Sequence, residues 1–132
     1  MEFDKMTVRE ASQLSPLQLA YIGDSVWEII VRSRLLHQKM NVHNMHIECV
    51  KTVNAAAQAK GLSYIHHIMT EDEKSIFLRG RNAHSHHPSP RNQNPADYAE
   101  ATGFEALLGY LYLTGNFERL KEIEKIIFME EK

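Results

Sequence analysis

The sequence has few of the features that mark secreted, membrane or strand-rich proteins. It contains one cysteine, Cys49, so no intramolecular disulfide can form. No apolar run of about 18 residues is free of polar interruption, which argues against a membrane span. The amino terminus, MEFDKMTVRE, has no apolar signal segment. No stretch keeps the two-residue alternation of a β-strand for long. We therefore expect an all-α protein of the reducing cytoplasm, with no membrane partner.

The length and composition predict a single domain over residues 1–132. A chain of this size buries roughly two-thirds of the surface that its unfolded form exposes, which is enough for a proper core. The hydrophobic fraction of 43% is ordinary for a globular protein. The formal net charge of −2 provides no general attraction to nucleic acid. A nucleic-acid partner would therefore require a local cluster of basic residues.

Two acidic residues stand almost alone in apolar, helix-like stretches. Asp24 lies in residues 14–31, where Glu28 is the only other charged residue, and Glu105 is the only charged residue in residues 101–117. A carboxylate on an apolar face costs free energy unless it is paired or bound to a cation. Each acid could pair with a distant base or reach water at a helix edge. Alternatively, the two could face each other across a divalent cation, and oxygen ligands suit magnesium or manganese.

Caps and apolar spacing predict helices along most of the chain. They are expected at about residues 16–38, 43–60, 62–69, 71–81, 95–114 and 117–130. Gly61 is interpreted as the end of the second helix and Gly115 as the end of the fifth. Gly23, inside the first helix and beside Asp24, indicates that something approaches the backbone closely. Another helix and a ligand explain it equally well.

A basic cluster surrounds a predicted long loop over residues 82–96, NAHSHHPSPRNQNPA. No acidic residue lies between Lys74 and Ala96. Arginine there can bind phosphate groups in a bidentate manner, and partly protonated histidine adds positive charge. The alternatives are a solvated loop with incidental charge and a transition-metal site at three histidines. The residues of this basic cluster are Lys74, Arg79, Arg81 and Arg91, with His84, His86 and His87.

Three motifs together resemble one enzyme family. Residues 19–25, LAYIGDS, resemble the signature helix of ribonuclease III catalytic domains. Residues 102–109, TGFEALLG, resemble the second acidic helix of that family. With residues 79–82, RGRN, they resemble the Mini-III subfamily, which is a catalytic domain without the double-stranded-RNA-binding domain. The order of the motifs agrees with the family over nearly the whole chain.

The resemblance implies the helical ribonuclease III endonuclease-domain fold, assembled as a two-fold homodimer. It implies a magnesium-dependent enzyme, in which Mn²⁺ can replace Mg²⁺, that hydrolyses phosphodiester bonds of double-stranded RNA. The implied role is maturation of the 23S ribosomal RNA precursor, with a ribosomal protein as a further candidate partner. Asp24 and Glu105 take the places of the family's catalytic, metal-binding acids. For RNA binding we expect the basic cluster to act through Arg79, Arg81, Asn82, His84 and Arg91.

Two positions depart from the wider family. Ala20 stands four residues before Asp24, where a Glu is usual, and Thr102 stands three residues before Glu105, where an Asp is usual. Fewer ligands imply a metal ion held more by water, by phosphate and by Glu28 or Glu100. The losses keep open a non-catalytic ribonuclease III-like module that binds RNA. A third hypothesis is a helical interaction protein in which both acids are structural.

Overall fold

The computed structural model describes residues 4–83 and 94–130, and these residues form helices and connecting turns with no strand. The helices are α1 (Val8–Ser12), α2 (Pro16–Leu35), α3 (Val42–Val53), α4 (Ala55–Ile65), a 3₁₀ turn (His66–Ile68), α5 (Glu71–Asn82), α6 (Pro95–Leu113) and α7 (Phe117–Glu130). The all-α prediction is confirmed. Among the described residues, no helix is both long and apolar enough to cross a bilayer.

Helix α6 is the centre of the core. It packs against α2, α4, α5 and α7, and Phe104, Leu107 and Leu108 are fully buried along it. Because neighbours surround it, nearly every α6 position must be apolar, which explains the charge-poor stretch in the sequence. Trp27 of α2 meets Phe104 edge-on, with 5.1 Å between ring centroids, and stacks on Phe128 of α7 at 5.6 Å. Trp27 therefore belongs to the core.

Local capping signals set most helix starts as predicted. Ser15 and Thr70 form capping boxes at the starts of α2 and α5. Proline occupies the first turn of α2 and of α6. Gly115 has a φ of 74° after α6, a left-handed conformation that glycine adopts readily. Helix α2 ends at Leu35, three residues before the predicted end.

The predicted helix over residues 43–60 is wrong, because the chain breaks there into α3 and α4. Asn54 has extended backbone angles (φ −70°, ψ 161°), and its side chain accepts a hydrogen bond from the backbone N–H of Ala57. This is the N-cap geometry that asparagine favours. Gly61 does not end a helix. It lies inside α4 against Ile127, and the helix expected over residues 62–69 is the end of α4 plus the 3₁₀ turn.

Helices α2 and α6 cross with their backbones in contact. A methyl group added at Gly23 would overlap the carbonyl oxygen of Glu105, and one added at Gly109 would overlap the carbonyl oxygen of Leu19. Of the two explanations for Gly23, the structure therefore shows a neighbouring helix. Any larger residue at either position would push the two helices apart.

We expect Gly109→Ala to destabilise the protein by about 3 kcal/mol or more. Alanine should favour a helix by about 1 kcal/mol over glycine, but the overlap with the Leu19 backbone outweighs this gain. Gly61→Ala is the matched control. Its added carbon would lie 3.3 Å from a side-chain atom of Ile127, which can shift, so its effect should stay within about 1 kcal/mol. Urea unfolding compares the two, and equal stabilities would contradict a backbone-limited crossing.

Candidate active site

The crossing of α2 and α6 brings together the two acids singled out in the sequence. Asp24 directly follows Gly23 on α2, and Glu105 is the α6 residue whose backbone Gly23 touches. The carboxyl groups of Asp24 and Glu105 lie within hydrogen-bonding range of each other. Two side chains more than 80 residues apart in sequence thus form one pair, because both flank the point of closest approach.

The environment of the pair raises the pKa of Glu105 to about 9. Burial is the largest cause, followed by the hydrogen bond to Asp24 and by the negative charge of Asp24. Without a cation, Glu105 therefore keeps its proton at neutral pH. At neutral pH, two neighbouring carboxyl groups of this kind both lose their protons only when a positive charge compensates them.

The expected apolar surroundings hold for Glu105 and are wrong for Asp24. Asp24 is exposed, and Tyr21, one turn earlier, is 83% exposed. The buried side of α2 carries Ala20 and Trp27 instead. Asp24 therefore lies at the rim of the core, where water or a substrate can reach it, while Glu105 is partly buried behind it.

Ala20 and Thr102, the two positions that depart from the wider family, provide no carboxylate. Both are buried, with Ala20 8% and Thr102 7% exposed. The hydroxyl of Thr102 donates to the Tyr98 carbonyl at 3.0 Å. The suggested substitutes have other partners. Glu28 accepts a hydrogen bond from Arg32 at 2.7 Å, and Glu100 lies 4.0 Å from both Arg81 and His66.

In the part of the chain that the structure describes, no group of three or more His, Cys, Asp or Glu side chains is arranged to bind a metal. The carboxylate oxygens of Asp24 and Glu105 are nevertheless of the kind that a divalent cation binds. The raised pKa of Glu105 agrees with this, because no neighbouring positive charge stabilises the second carboxylate.

The predicted RNA-binding residues of the described chain lie at the end of α5. Arg79 donates hydrogen bonds to the carbonyl oxygens of Ser12 (3.3 Å) and Leu14 (3.2 Å), so it anchors the α1–α2 connection. Arg81 lies over the Phe77 ring and within 4.0 Å of Glu100, and Asn82 is exposed. The remaining predicted residues, His84 and Arg91, lie outside the described residues, as do His86 and His87.

Sequence reasoning missed a cleft beside Glu105. It lies between the α3–α4 junction and the first half of α6, and its volume is about 460 Å³. The residues that line it are Val53, Asn54, Ala55, Ala56, Gln58, Asn94, Asp97, Tyr98, Ala101 and Glu105. The signal that could have revealed it is Asn54, because an N-cap residue inside the expected helix indicates a break.

In metal-free protein, we expect Glu105→Gln to be more stable than the parent, by a margin that grows as the pH rises. A carboxyl group whose pKa rises on folding, here from 4.5 to about 9, contributes stability below its unfolded pKa. That contribution is lost between these two values. The variant should match the parent at pH 4.5 and exceed it by about 1–3 kcal/mol at pH 8, after allowance for solvent screening.

Chemical denaturation in EDTA at the two pH values measures this difference. Glu118→Gln, at an exposed position on α7, is the matched control and should show no such trend. A stability gain from Glu105→Gln that is equal at both pH values would contradict the raised pKa.

Comparison with known proteins gives a consistent match. The family model described as "Ribonuclease III domain" matches residues 17–116, which include both acids. A protein named Mini-ribonuclease 3 from Symbiobacterium thermophilum is 47% identical over 111 residues, which are 83% of this chain and 85% of the relative. The Mini-ribonuclease 3 of a Thermoanaerobacter species is 47% identical over 119 residues, 89% of this chain and 83% of the relative.

A solved structure shows the same fold. The crystal structure of a protein from Fusobacterium nucleatum superposes with a TM-score of 0.82 at 31% sequence identity, and the match covers 91% of this chain and 96% of that protein. The family model and the relatives each span most of the chain. The chain therefore belongs to the ribonuclease III domain family and, within it, to the Mini-ribonuclease 3 enzymes, which are endoribonucleases acting on double-stranded RNA.

Proposed function

We propose that this endoribonuclease depends on Mg²⁺, which Mn²⁺ can replace, and that Asp24 and Glu105 are its catalytic, metal-binding residues. The single observation that supports this is the contact between the two carboxyl groups, with the pKa of Glu105 raised by burial and by Asp24. In the metal-free protein, the proton on Glu105 neutralises one of the two carboxylates, as a bound cation would do in its place. A buried acid pair destabilises the fold, and strongly perturbed pKa values of this kind cluster at functional sites.

Each residue of the pair has a distinct task in this mechanism. A bound divalent ion supplies an activated water and stabilises charge on the leaving oxygen of the phosphodiester. Asp24 is exposed at the rim of the core, so it can hold the ion where a phosphate group also reaches it. Glu105, which is partly buried, would hold the ion as a carboxylate, so a bound ion would favour loss of its proton. Because the chain would offer only these two carboxylates, the remaining ligands would have to be water or phosphate oxygens.

Contacts to the RNA phosphates are proposed for the end of α5 and the segment that follows it, through Arg79, Arg81, Asn82, His84 and Arg91. A protein that recognises double-stranded RNA by shape relies on phosphate and 2′-hydroxyl contacts. The distance of 4.0 Å between Arg81 and Glu100 marks a loose ion pair that a phosphate can displace. Arg79 is the weaker candidate, since its guanidinium already holds two backbone carbonyls.

The natural substrate proposed for this activity is the 23S ribosomal RNA precursor in the cytoplasm, with a ribosomal protein as an assisting partner. This proposal comes from the family to which the chain belongs.

A homodimer is proposed because one active site cuts one strand, and two-fold pairing provides the second site. Large apolar residues are exposed along α2, where Tyr21 is 83%, Ile29 67% and Leu36 70% exposed. A groove between α2 and α3 joins Ile29 and Leu36 to Val42, which is 80% exposed. A contiguous apolar surface of this kind is typical of a protein interface.

We expect a long double-stranded RNA to be cut by the wild type with Mg²⁺ and not in EDTA. Asp24→Asn and Glu105→Gln should each lose about 10²-fold or more in rate, as is usual when a charged group is removed from an active site. Glu118→Gln, at an exposed position on α7, is the matched control and should cut normally. Gel assays under single-turnover conditions measure the rates. Full activity in Asp24→Asn would refute the assignment of Asp24 as a catalytic residue.

Light scattering should give the wild type twice the mass of one chain. Ile29→Glu should yield monomers at the same concentration, because it places a charge in the proposed apolar interface. Met129→Glu replaces another exposed apolar residue, 63% exposed on α7, and should remain dimeric. A monomeric wild type, or a dimer that tolerates Ile29→Glu, would contradict this interface.

A further inference from the structure

The cleft beside Glu105 contains a buried polar side chain that has no partner among the residues that the structure describes. Gln58, one turn after Asn54, lines this cleft and is only 2% exposed. Its side chain makes no hydrogen bond with the described residues. No buried side-chain nitrogen or oxygen in the described structure is both unpaired and sealed from solvent. The small exposed area of Gln58 must therefore include its amide, which opens into the cleft.

An amide in this position is suited to binding a ligand. Burying an amide without hydrogen bonds destabilises a fold, so such groups commonly have a partner. A glutamine amide both donates and accepts hydrogen bonds. Its best partner is a small group that does the same. A cavity of about 460 Å³ is also within the usual range for ligand sites.

The charges around the cleft disfavour a phosphate as the direct partner of Gln58. Asp97 and Glu105 line the cleft, and no lysine or arginine does so among the described residues. A phosphate would be repelled there, whereas a hydroxyl group carries no charge. In RNA the ribose 2′-hydroxyl is both donor and acceptor, and it distinguishes RNA from DNA.

We propose that Gln58 binds the 2′-hydroxyl of a ribose next to the phosphate that is cut, and that this contact selects RNA over DNA at that nucleotide. The inference rests on the proposed function, because Glu105 marks the cleavage site and also lines the cleft. Gln58 acts as a specificity residue that holds the sugar. It takes no part in moving protons or in holding the metal ion.

The test uses a short RNA duplex with one 2′-fluoro nucleotide, placed in turn at each position flanking the cleavage site. Fluorine removes the hydroxyl donor while the duplex keeps its A-form shape. For the wild type, one position should lower the single-turnover rate by about threefold to tenfold, the value of one neutral hydrogen bond. Gln58→Leu should lose the same factor on the unmodified duplex and lose nothing further at that position.

Controls separate this contact from general damage to the fold. Gln13→Leu, at an exposed position after α1, should behave as the wild type throughout. Thermal melting checks that Gln58→Leu is folded, and Gln58→Met replaces it if it is not. Equal losses from every 2′-fluoro substitution in wild type and variant would overturn the proposal. The proposal would also be overturned if the cleavage rate of Gln58→Leu became insensitive to the replacement of a guanosine by inosine. The contact of Gln58 would then be to a base edge.

The proposed function is judged separately, by whether the wild type cuts the unmodified duplex at all. The same 2′-fluoro series is repeated as a binding measurement in Asp24→Asn protein, with and without Gln58→Leu. Binding does not require cleavage, so this series decides the Gln58 proposal even if no cutting occurs. Loss of affinity at one position, abolished by Gln58→Leu, supports it, and a flat series overturns it.

Discussion

The backbone contact between α2 and α6 is the constraint on which the rest of the structure depends. Gly23 and Gly109 let the two helices approach until side chains at these positions would overlap carbonyl oxygens. The same crossing places Asp24 against Glu105. The geometry of the proposed active site is therefore set by main-chain packing, which is stiffer than any pair of flexible side chains.

The acid pair affects stability and the proposed function in opposite ways: stability favours a protonated Glu105, whereas cation binding requires both carboxylates to be charged. Burial and the charge of Asp24 raise the pKa of Glu105, so the metal-free protein holds a proton there and loses stability when that proton leaves. A divalent cation would remove this penalty by neutralising both carboxylates. The stability that the fold gives up at this point is typical of sites kept for activity.

Helix α6 carries core residues, Glu105 of the acid pair and Glu100 on different faces of the same helix. Its central positions form the core through Phe104 and Leu108. Glu105 faces α2 and the acid pair. Glu100, on another face, pairs loosely with Arg81 at the end of α5, where RNA contacts are proposed. Because α6 is fixed by neighbours on several sides, it holds Glu100 and Glu105 in defined positions.

The sequence alone determined the helical class, most helix starts and the two acids, because capping boxes, proline positions and isolated charges act over a few residues. It also contained the N-cap signal of Asn54 that splits α3 from α4, which the apolar spacing concealed. Only the tertiary structure decided that Asp24 reaches water, that Glu105 keeps its proton at neutral pH, and that Gln58 is buried with no hydrogen bond to the described residues. Burial and electrostatic fields depend on which distant helix lies alongside, and no local pattern contains that information.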